Sequence, residues 1–295
     1  MATALIATLI AVVLGHTLPE LARVRRFDWL ADWRRLVAGW FGEGGGGVLG
    51  VALVIAIPVA LLALVQNALD ERFFGLAELA LGAATLYYCW GPRDLDLDVD
   101  AVASAADGER RRAALAALAP DSAGAATAPT GTVLVDAVFR AALTRWFGVL
   151  LWFVLLGAAG ALLYRLVQLL ARSPGFSAEV TATQAPALDQ VAQLLDWPAA
   201  QLMTLALAVG ADFDAVAGAW RDFHAARGRL FTLDSGFLIA AARASVDADI
   251  DVGDAWTDES QGPVAEMQEA MTLVWRVLVV WGVVFAIFVL AGRIG

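Results

Sequence analysis

The sequence predicts an all-α protein, a polytopic helical membrane protein with amphipathic and cytoplasmic helices. Hydrophobic residues make up 60% of the 295 residues and charged residues only 17%, whereas soluble domains average roughly 45–50% and 25%. The apolar residues also form runs of membrane-spanning length separated by polar segments. Tryptophan, tyrosine and arginine flank these runs, as is typical of membrane–water interfaces. The bilayer is therefore part of the predicted fold.

A crossing helix needs about 20 apolar residues, and four runs of the chain meet or approach that length. A shorter apolar run at 2–15 is predicted to be a retained first helix rather than a cleaved signal, because no basic residue precedes it. The stretch 22–47 mixes five arginines with tryptophan and phenylalanine, which indicates an amphipathic helix at the interface. The predicted spans are 48–69, 73–90, 147–164 and 272–291.

The spans divide the chain into three predicted sections. N-terminal membrane helices with an interfacial loop come first, then a cytoplasmic acidic and arginine-rich segment, and last C-terminal membrane helices around a large helical polar loop. These sections are 1–90, 91–145 and 146–295.

Arginine counts in the loops predict the orientation of the helices, since cytoplasmic loops carry the excess of basic residues. They place 20–47 and 91–145 in the cytoplasm. With 147–164 as a full crossing, the polar section 172–271 is then predicted to face outward, unless helix 196–211 also enters the membrane.

Several function classes are excluded by residue types alone. The chain has no lysine, which removes phosphate-loop and Schiff-base chemistry. A net charge of −10 argues against nucleic-acid binding. Cys89 is the single cysteine, and His16 and His224 lie far apart in the chain, so no disulfide, zinc or other metal cluster is predicted. No hydrolase motif is present, and the sequence predicts no catalytic residue and assigns no cofactor.

Two glycine patterns have ordinary structural explanations. The tract 42–47 matches the dinucleotide-binding glycine pattern but precedes a membrane helix and follows no strand, so a flexible joint is the better interpretation. Gly157 and Gly160 lie among alanines in the third strong run and predict a face on which another helix packs closely.

Two acidic tracts leave alternatives open. The aspartates at 94, 96, 98 and 100 alternate with apolar residues, which would align four carboxylates on one face of a strand, but a helix beginning at Asp94 fits equally well. The tract 247–258 resembles a calcium loop with its glycine displaced and Asp258 in place of the usual glutamate. A solvated acidic loop is the favoured interpretation of that tract.

Charged residues inside predicted spans are candidates for function, because an ionised group in the bilayer needs a partner or a polar cavity. Glu78, Arg165 and Arg276 are the three candidates. Pairing of Glu78 with either arginine is the structural alternative to a functional role.

Three strings together resemble the AmpE/CobD (CbiB) family of bacterial inner-membrane proteins. They are CWGPRDL from Cys89, the run FGVLLWFVLLGAAGALLYRL at 147–166, and LDWPAAQL with GADFDAVAGAWRDFH at 195–224. The resemblance covers most of the chain from about Ala84 to Ser245. It favours the AmpE branch, since His16 is followed by threonine and leucine, the central helix begins without asparagine, and Gln201 stands where the other branch has arginine.

The AmpE resemblance implies a regulatory or accessory protein, linked to β-lactamase regulation and cell-wall stress, rather than a catalyst. The alternative within the family is a membrane-bound amide synthase of cobalamin biosynthesis. Implied partners are the lipid bilayer, a small cell-wall or nucleotide-like ligand, and a membrane-protein partner or a second copy of the chain. No ligand identity follows from the resemblance.

If the family relationship retains a ligand pocket, we expect it at the cytoplasmic membrane surface, where Arg93 and Asp94 meet Arg140 and Arg145. Arginines bind phosphate or carboxylate groups in a bidentate manner and stay charged at physiological pH. The alternative is that Arg140 and Arg145 only mark the membrane boundary.

Overall fold

The computed structural model describes residues 5–11, 25–42, 46–69, 75–91, 94–118, 130–177, 180–227, 233–251 and 262–292. These residues are almost entirely helical, and they include no β-strand, which confirms the all-α prediction. The helices are α1 (5–11), α2 (Asp28–Phe41), α3 (Gly47–Leu69), α4 (Leu76–Cys89), α5 (Leu95–Ala103), α6 (Gly108–Leu118), α7 (Gly131–Ala142), α8 (Gly148–Arg172), α9 (Pro174–Ser177), α10 (Ala185–Gly210), α11 (Phe213–Arg227), α12 (Gly236–Asp251) and α13 (Pro263–Leu290). A π-helical turn, Leu143–Phe147, joins α7 to α8.

The chain forms two compact units, and the three sections predicted from the sequence stay a prediction. Unit 1 contains residues 1–94, 148–195 and 291–295, and unit 2 contains 95–147 and 196–290. The boundary near 195 falls inside α10, because that helix begins with one unit and ends with the other.

By length and composition, three helical stretches of the described residues could cross a membrane. They are α3, α13 and the continuous stretch Gly131–Arg172. In the most apolar part of α3 and of α13 only 17% of the residues are buried, against 67% for Gly131–Arg172. The first two therefore present apolar side chains outward, where lipid tails suit them, while the third packs inside protein. The predicted span 73–90 appears as α4, which has 14 residues and is about 21 Å long.

The predicted span 147–164 is not one straight helix, because the chain reverses at Gly157. Gly157 has φ 68° and ψ −152°, a combination that is essentially restricted to glycine. A β-carbon added at Gly160 would lie 2.1 Å from the carbonyl oxygen of Trp152, and one added at Gly148 would lie 2.1 Å from Cζ of Tyr164. In a straight helix these pairs would be about 12 and 24 Å apart. Residues 148–156 and 158–172 are therefore two antiparallel arms of a helical hairpin.

The hairpin bears on the predicted topology, since its second arm returns towards the end of unit 1 at which its first arm begins. The segment that follows the hairpin contacts α2 and the start of α3: Arg34 Nη1 donates to the Phe176 carbonyl at 3.2 Å, and Gln184 Nε2 donates to the Gly47 carbonyl at 2.9 Å. Phe176 and Gln184 thus lie at the same end of unit 1 as Arg34 and Gly47. The side of the membrane on which the section 172–271 lies stays a prediction.

In unit 1, α3 and α4 both pack against the hairpin. The indole N–H of Trp152 donates to the Leu195 carbonyl at 3.0 Å, which fixes the first arm against α10. Gly82 of α4 faces Phe153, whose ring would lie 3.2 Å from a β-carbon at that position. The small-residue pattern predicted as a packing face therefore serves the contact between the hairpin arms as well as the contact with a neighbouring helix.

In unit 2, α13 packs along α7, α11 packs on α12, and α5 packs on α6. The acidic tract from Asp94 forms the helix α5 rather than a strand, so its carboxylates point in different directions. Arg243 of α12 makes two bonds to the carboxylate of Asp136 at 2.7 and 2.6 Å, and these bonds raise the pKa of Arg243 above its usual value. Of the calcium-like tract 247–258, the first part belongs to α12 and residues from 252 lie outside the described residues.

Candidate buried arginine site

The four residues of the predicted anion site have different surroundings. Asp94 belongs to unit 1 and accepts a hydrogen bond from Arg25. Arg145 belongs to unit 2 and is buried, while Arg140 is exposed. Arg93 lies outside the described residues. That anion site stays a prediction, and the contacts of Asp94 and Arg145 indicate separate roles within their own units.

Arg145 acts as a clamp between helices. It lies on the π-helical turn, and its Nη1 donates to Asp98 Oδ2 at 2.6 Å. Its Nη2 donates to the carbonyls of Ala117 and Leu118 at 2.7 and 3.0 Å, which are among the last carbonyls of α6. Basic side chains commonly satisfy such C-terminal carbonyls. The side chains of Arg145 and Asp98 are only 8% and 2% exposed. This buried pair joins α5, α6 and the π-helical turn.

The three predicted intramembrane charges also have defined positions. Arg276 of α13 donates to Asp249 Oδ2 at 2.9 Å and lies 3.8 Å from a carboxylate oxygen of Glu269. Glu78 is in the first turn of α4 and lines a small cavity with Gln66 and Gly157, which is the kind of polar environment expected for it. Arg165 lies on the second arm of the hairpin and is 6% exposed.

The cavity beside Glu78 lies at the tip of the hairpin and has a volume of about 40 Å³. A water molecule needs roughly 10–15 Å³ by this measure, so the cavity is large enough for a few waters. Gln66 Oε1 accepts a hydrogen bond from the Ala159 amide at 3.3 Å. Gln66 therefore satisfies one of the free N–H groups that begin the second arm, and it fixes the tip of the hairpin to α3.

The strongest candidate for a ligand site is built around Arg25, which directly precedes α2. The Arg25 side chain is only 1% exposed, and its Nη1 lies 3.3 Å from Asp94 Oδ1. Its guanidinium carbon is 4.2 Å from the centre of the Tyr87 ring, within the distance of a cation–π contact. Among the described residues, Arg25 Nε and Nη2 and the Tyr87 hydroxyl have no hydrogen-bond partner, although all three atoms are buried.

Aromatic contacts hold this site together. Tyr88 donates from its hydroxyl to the Arg26 carbonyl at 2.6 Å and accepts from the indole N–H of Trp29 at 2.9 Å. Phe27 packs 4.4 Å from the Tyr88 ring, measured between centres. The second arm of the hairpin contributes Arg165, whose guanidinium carbon is 5.9 Å from the centre of Phe27. The segment before α2, the end of α4 and the hairpin thus meet at one buried site that contains two arginines, Arg25 and Arg165.

The ligand chemistry of this site depends on the N–H groups of Arg25 that have no acceptor among the described residues. A buried donor without an acceptor costs about 1–3 kcal/mol, and a charged donor costs more. A guanidinium that keeps Nε and one Nη free presents two N–H directions in the planar geometry that suits phosphate and carboxylate oxygens. The adjacent Tyr87 hydroxyl adds a further donor. The arrangement is therefore suited to binding an oxyanion.

Sequence reasoning did not single out Arg25, Tyr87 or Gln66, and it named Asp98 only as one of four alternating aspartates. Arg25 is one of five arginines in 22–47, and nothing in its spacing separates it from its exposed neighbour Arg26. Gln66 could have been noticed from the sequence, because it is a polar amide inside an otherwise apolar run. The chemistry of the remaining residues depends on contacts between distant parts of the chain.

The described residues contain no group of three or more histidine, cysteine, aspartate or glutamate side chains that could hold a metal ion. The buried His224 has Nδ1 at 2.8 Å from the Trp220 carbonyl of its own helix, which is an ordinary helical contact. His16 lies outside the described residues.

No family model matches the chain, and comparisons with curated proteins and with solved structures also gave no match. The resemblance to the AmpE/CobD family accordingly stays a prediction from the quoted strings.

Proposed function

We propose that the chain is a regulatory membrane protein of the AmpE type that binds an anionic small molecule at the site around Arg25. The observation that carries this proposal is the buried Arg25 guanidinium, which has two nitrogens without an acceptor among the described residues. A phosphate or carboxylate group would supply the missing acceptors. Cell-wall sugars that carry a carboxylate and nucleotide-like molecules both belong to this chemical class.

The composition of the site supports binding rather than catalysis. Arg25, Arg165 and Tyr87 are hydrogen-bond donors or cations, and Asp94 is already bonded to Arg25. An arginine stays protonated at any physiological pH, so it can orient and neutralise an anion but is unsuited to act as a general base. Such a site can report the presence of a ligand by tightening the contact between the segment before α2 and the hairpin.

The inner membrane of a bacterium is the proposed location. The exposed apolar side chains of α3 and α13 suit lipid tails, and the arginines of α2 suit the cytoplasmic interface. A partner protein or a second copy of the chain would then receive the signal, as the AmpE resemblance implies.

Ligand-dependent stability of the full chain tests the proposal. The unfolding midpoint of the detergent-purified protein is measured with inorganic phosphate, a nucleoside diphosphate and a muramic-acid sugar. A ligand at 100 times its dissociation constant adds about 2.7 kcal/mol to the free energy of unfolding. We expect at least one of these anions to raise the midpoint in the wild type, and Arg25→Gln to abolish the rise.

Arg26→Gln is the matched control, because Arg26 is the next residue, is 73% exposed at its side chain and pairs only at the surface with Asp28. This variant should keep the full ligand response. If no anion stabilises the wild type, or if Arg25→Gln responds like Arg26→Gln, the buried nitrogens contact only water and the proposal is wrong.

A further inference from the structure

Two carboxyl groups of unit 2 lie beside one guanidinium where α12 packs against α13. Asp249 is in the last turn of α12, and Glu269 is in the second turn of α13. Arg276 Nη1 donates to Asp249 Oδ2 at 2.9 Å, whereas Arg276 Nη2 lies 3.8 Å from Glu269 Oε1. The guanidinium therefore hydrogen-bonds to Asp249 and only approaches Glu269.

Glu269 is the more deeply buried of the two carboxyl groups. Its side chain is 3% exposed, against 14% for Asp249 and 37% for Arg276. Glu269 Oε1 is buried and has no hydrogen-bond donor among the described residues. An ionised carboxylate needs donors to offset the cost of its burial. The surroundings of Glu269 therefore suit an uncharged carboxyl group better than a carboxylate.

The second carboxyl group favours the same form of Glu269. Asp249 lies within hydrogen-bonding reach of the Glu269 carboxyl, and a hydrogen bond between two carboxyl groups requires a proton on one of them. When two carboxylates share one site, their repulsion favours protonation of one. Glu269 is the group expected to hold that proton, because Asp249 is the one that Arg276 stabilises as an anion.

Arg276 is the single basic side chain of the described residues that acts on Glu269. α13 packs against α5, α7 and α12, and Arg140 of α7 is exposed. Two arginine–aspartate pairs around these helices are already formed: Arg243 with Asp136, and Arg145 with Asp98. Further acidic residues on α5, α12 and α13 include Asp96, Asp100, Asp247 and Glu266. The negative charge near Glu269 therefore exceeds the positive charge.

The connection between α12 and α13, residues 252–261, lies outside the described residues. Its sequence, VGDAWTDESQ, contains three acidic residues and no basic one. This connection therefore adds no positive charge to the two carboxyl groups.

We propose that Glu269 and Asp249 form a proton-binding site, in which Glu269 holds one proton at neutral pH and donates it in a hydrogen bond to Asp249. Loss of this proton to water, by way of the more exposed Asp249, leaves two negative charges facing each other between α12 and α13. Their repulsion weakens the contact between the two helices. The packing of unit 2 thus responds to pH, independently of the anion site around Arg25 in unit 1.

Proton release on unfolding tests the proposal in the detergent-purified full chain, with a chelator present to remove divalent cations. At about pH 6 a glutamate of the unfolded chain has lost its proton. The wild type should therefore release about one proton more on unfolding than Glu269→Gln does. Because the folded state binds the extra proton, the unfolding equilibrium constant of the wild type should rise by up to about tenfold more per pH unit than that of Glu269→Gln.

Matched variants separate Glu269 from other carboxyl groups. Glu109→Gln changes an exposed glutamate in the first turn of α6 and should keep the wild-type pH dependence. Asp249→Asn removes the second negative charge and should shift the loss of the Glu269 proton to lower pH. In infrared difference spectra, the C=O band of the protonated carboxyl should disappear in Glu269→Gln and remain in Glu266→Gln, which changes the preceding turn of α13.

Four results would contradict the proposal. Equal proton release from Glu269→Gln and Glu109→Gln would mean that Glu269 is ionised in the folded protein. A Glu269→Gln protein that is less stable than the wild type at every pH would indicate an ion pair of Glu269 with Arg276. An unchanged transition in Asp249→Asn would exclude Asp249 as the partner, and this variant keeps the test decisive if Glu269→Gln folds poorly. An infrared band that only Glu266→Gln removes would assign the proton to Glu266.

Discussion

Two arginines of this protein are both buried beside an aspartate, but they differ in how many of their N–H groups are hydrogen-bonded. Arg145 in unit 2 and Arg25 in unit 1 are both nearly inaccessible, and each contacts one aspartate. Arg145 donates three hydrogen bonds, to Asp98 and to two helix-terminal carbonyls. Arg25 donates a single, longer one and keeps Nε and Nη2 without acceptors among the described residues. Burial and pairing therefore do not distinguish the two arginines, whereas their unused donors do.

The largest expected effect concerns the hairpin that brings Arg165 towards the Arg25 side of unit 1. In a Cys89→Ala background, single cysteines at Gly39 and Ser173 should react with a membrane-impermeant reagent from one side only, and both from the same side. Asn67→Cys, near the other end of α3, is the control and should react from the opposite side. Positive-inside counting makes the Gly39 side cytoplasmic. If Ser173→Cys instead labels together with Asn67→Cys, the chain crosses at 147–164 and the hairpin is wrong.

The clamp in unit 2 should be strongly sensitive to loss of its arginine. Arg145→Gln leaves Asp98 buried without its cation, and breaking a buried pair in this way costs about 3–5 kcal/mol. Denaturant unfolding of the purified protein measures the loss. The loss should be the same with or without added anions, since Arg145 has no role in the proposed ligand site.

Arg140→Gln is the control for this prediction. Arg140 lies on the same helical stretch but is exposed, so its replacement should change the free energy of unfolding by less than about 0.5 kcal/mol. Similar losses for the two variants would contradict the clamp interpretation of Arg145.

Substitution at the tip of the hairpin should have a somewhat smaller effect on stability. Gly157→Ala forces a backbone conformation that costs about 1–3 kcal/mol for other residues, and its β-carbon would lie 2.5 Å from Gln66 Nε2. The anion response should weaken as well, because Arg165 reaches the site only through the reversal at Gly157. Gly39→Ala, in an open position on α2, should instead be neutral or stabilising. A Gly157→Ala protein as stable as the wild type would indicate a different path for the chain.

The smallest expected change in stability distinguishes Tyr87 from Tyr88, which are adjacent in the sequence. The Tyr88 hydroxyl makes two hydrogen bonds, so Tyr88→Phe should cost about 1 kcal/mol in the absence of ligand. The buried Tyr87 hydroxyl has no partner among the described residues, so Tyr87→Phe should leave the ligand-free protein as stable or make it more stable. Only Tyr87→Phe should reduce the anion response, as measured by the midpoint shift. If Tyr87→Phe instead destabilises the ligand-free protein and Tyr88→Phe reduces the anion response, the Tyr87 hydroxyl is already hydrogen-bonded and has no free donor for a ligand.

Composition and periodicity alone predicted the helical class, the long apolar helices α3 and α13, and the helix rich in arginine and aromatic residues that the structure shows as α2. These features depend on local properties: hydropathy summed over about 20 residues, and arginine beside aromatic residues. The arginine-rich part of the predicted segment 91–145 forms the helix α6. Each of these elements could be predicted because its own residues specify it.

The path of the apolar run 147–164 was decided only by tertiary contacts. A straight helix and a hairpin of these residues have the same hydropathy, so the sequence pattern cannot distinguish them. The reversal at Gly157 is held by Gln66, about 90 residues earlier, and by the close approach of Gly148 to Tyr164. The different roles of Arg25 and Arg145 arise in the same way. Whether a buried guanidinium finds acceptors depends on which helix ends and carboxylates the fold brings to it, and those groups are distant in sequence.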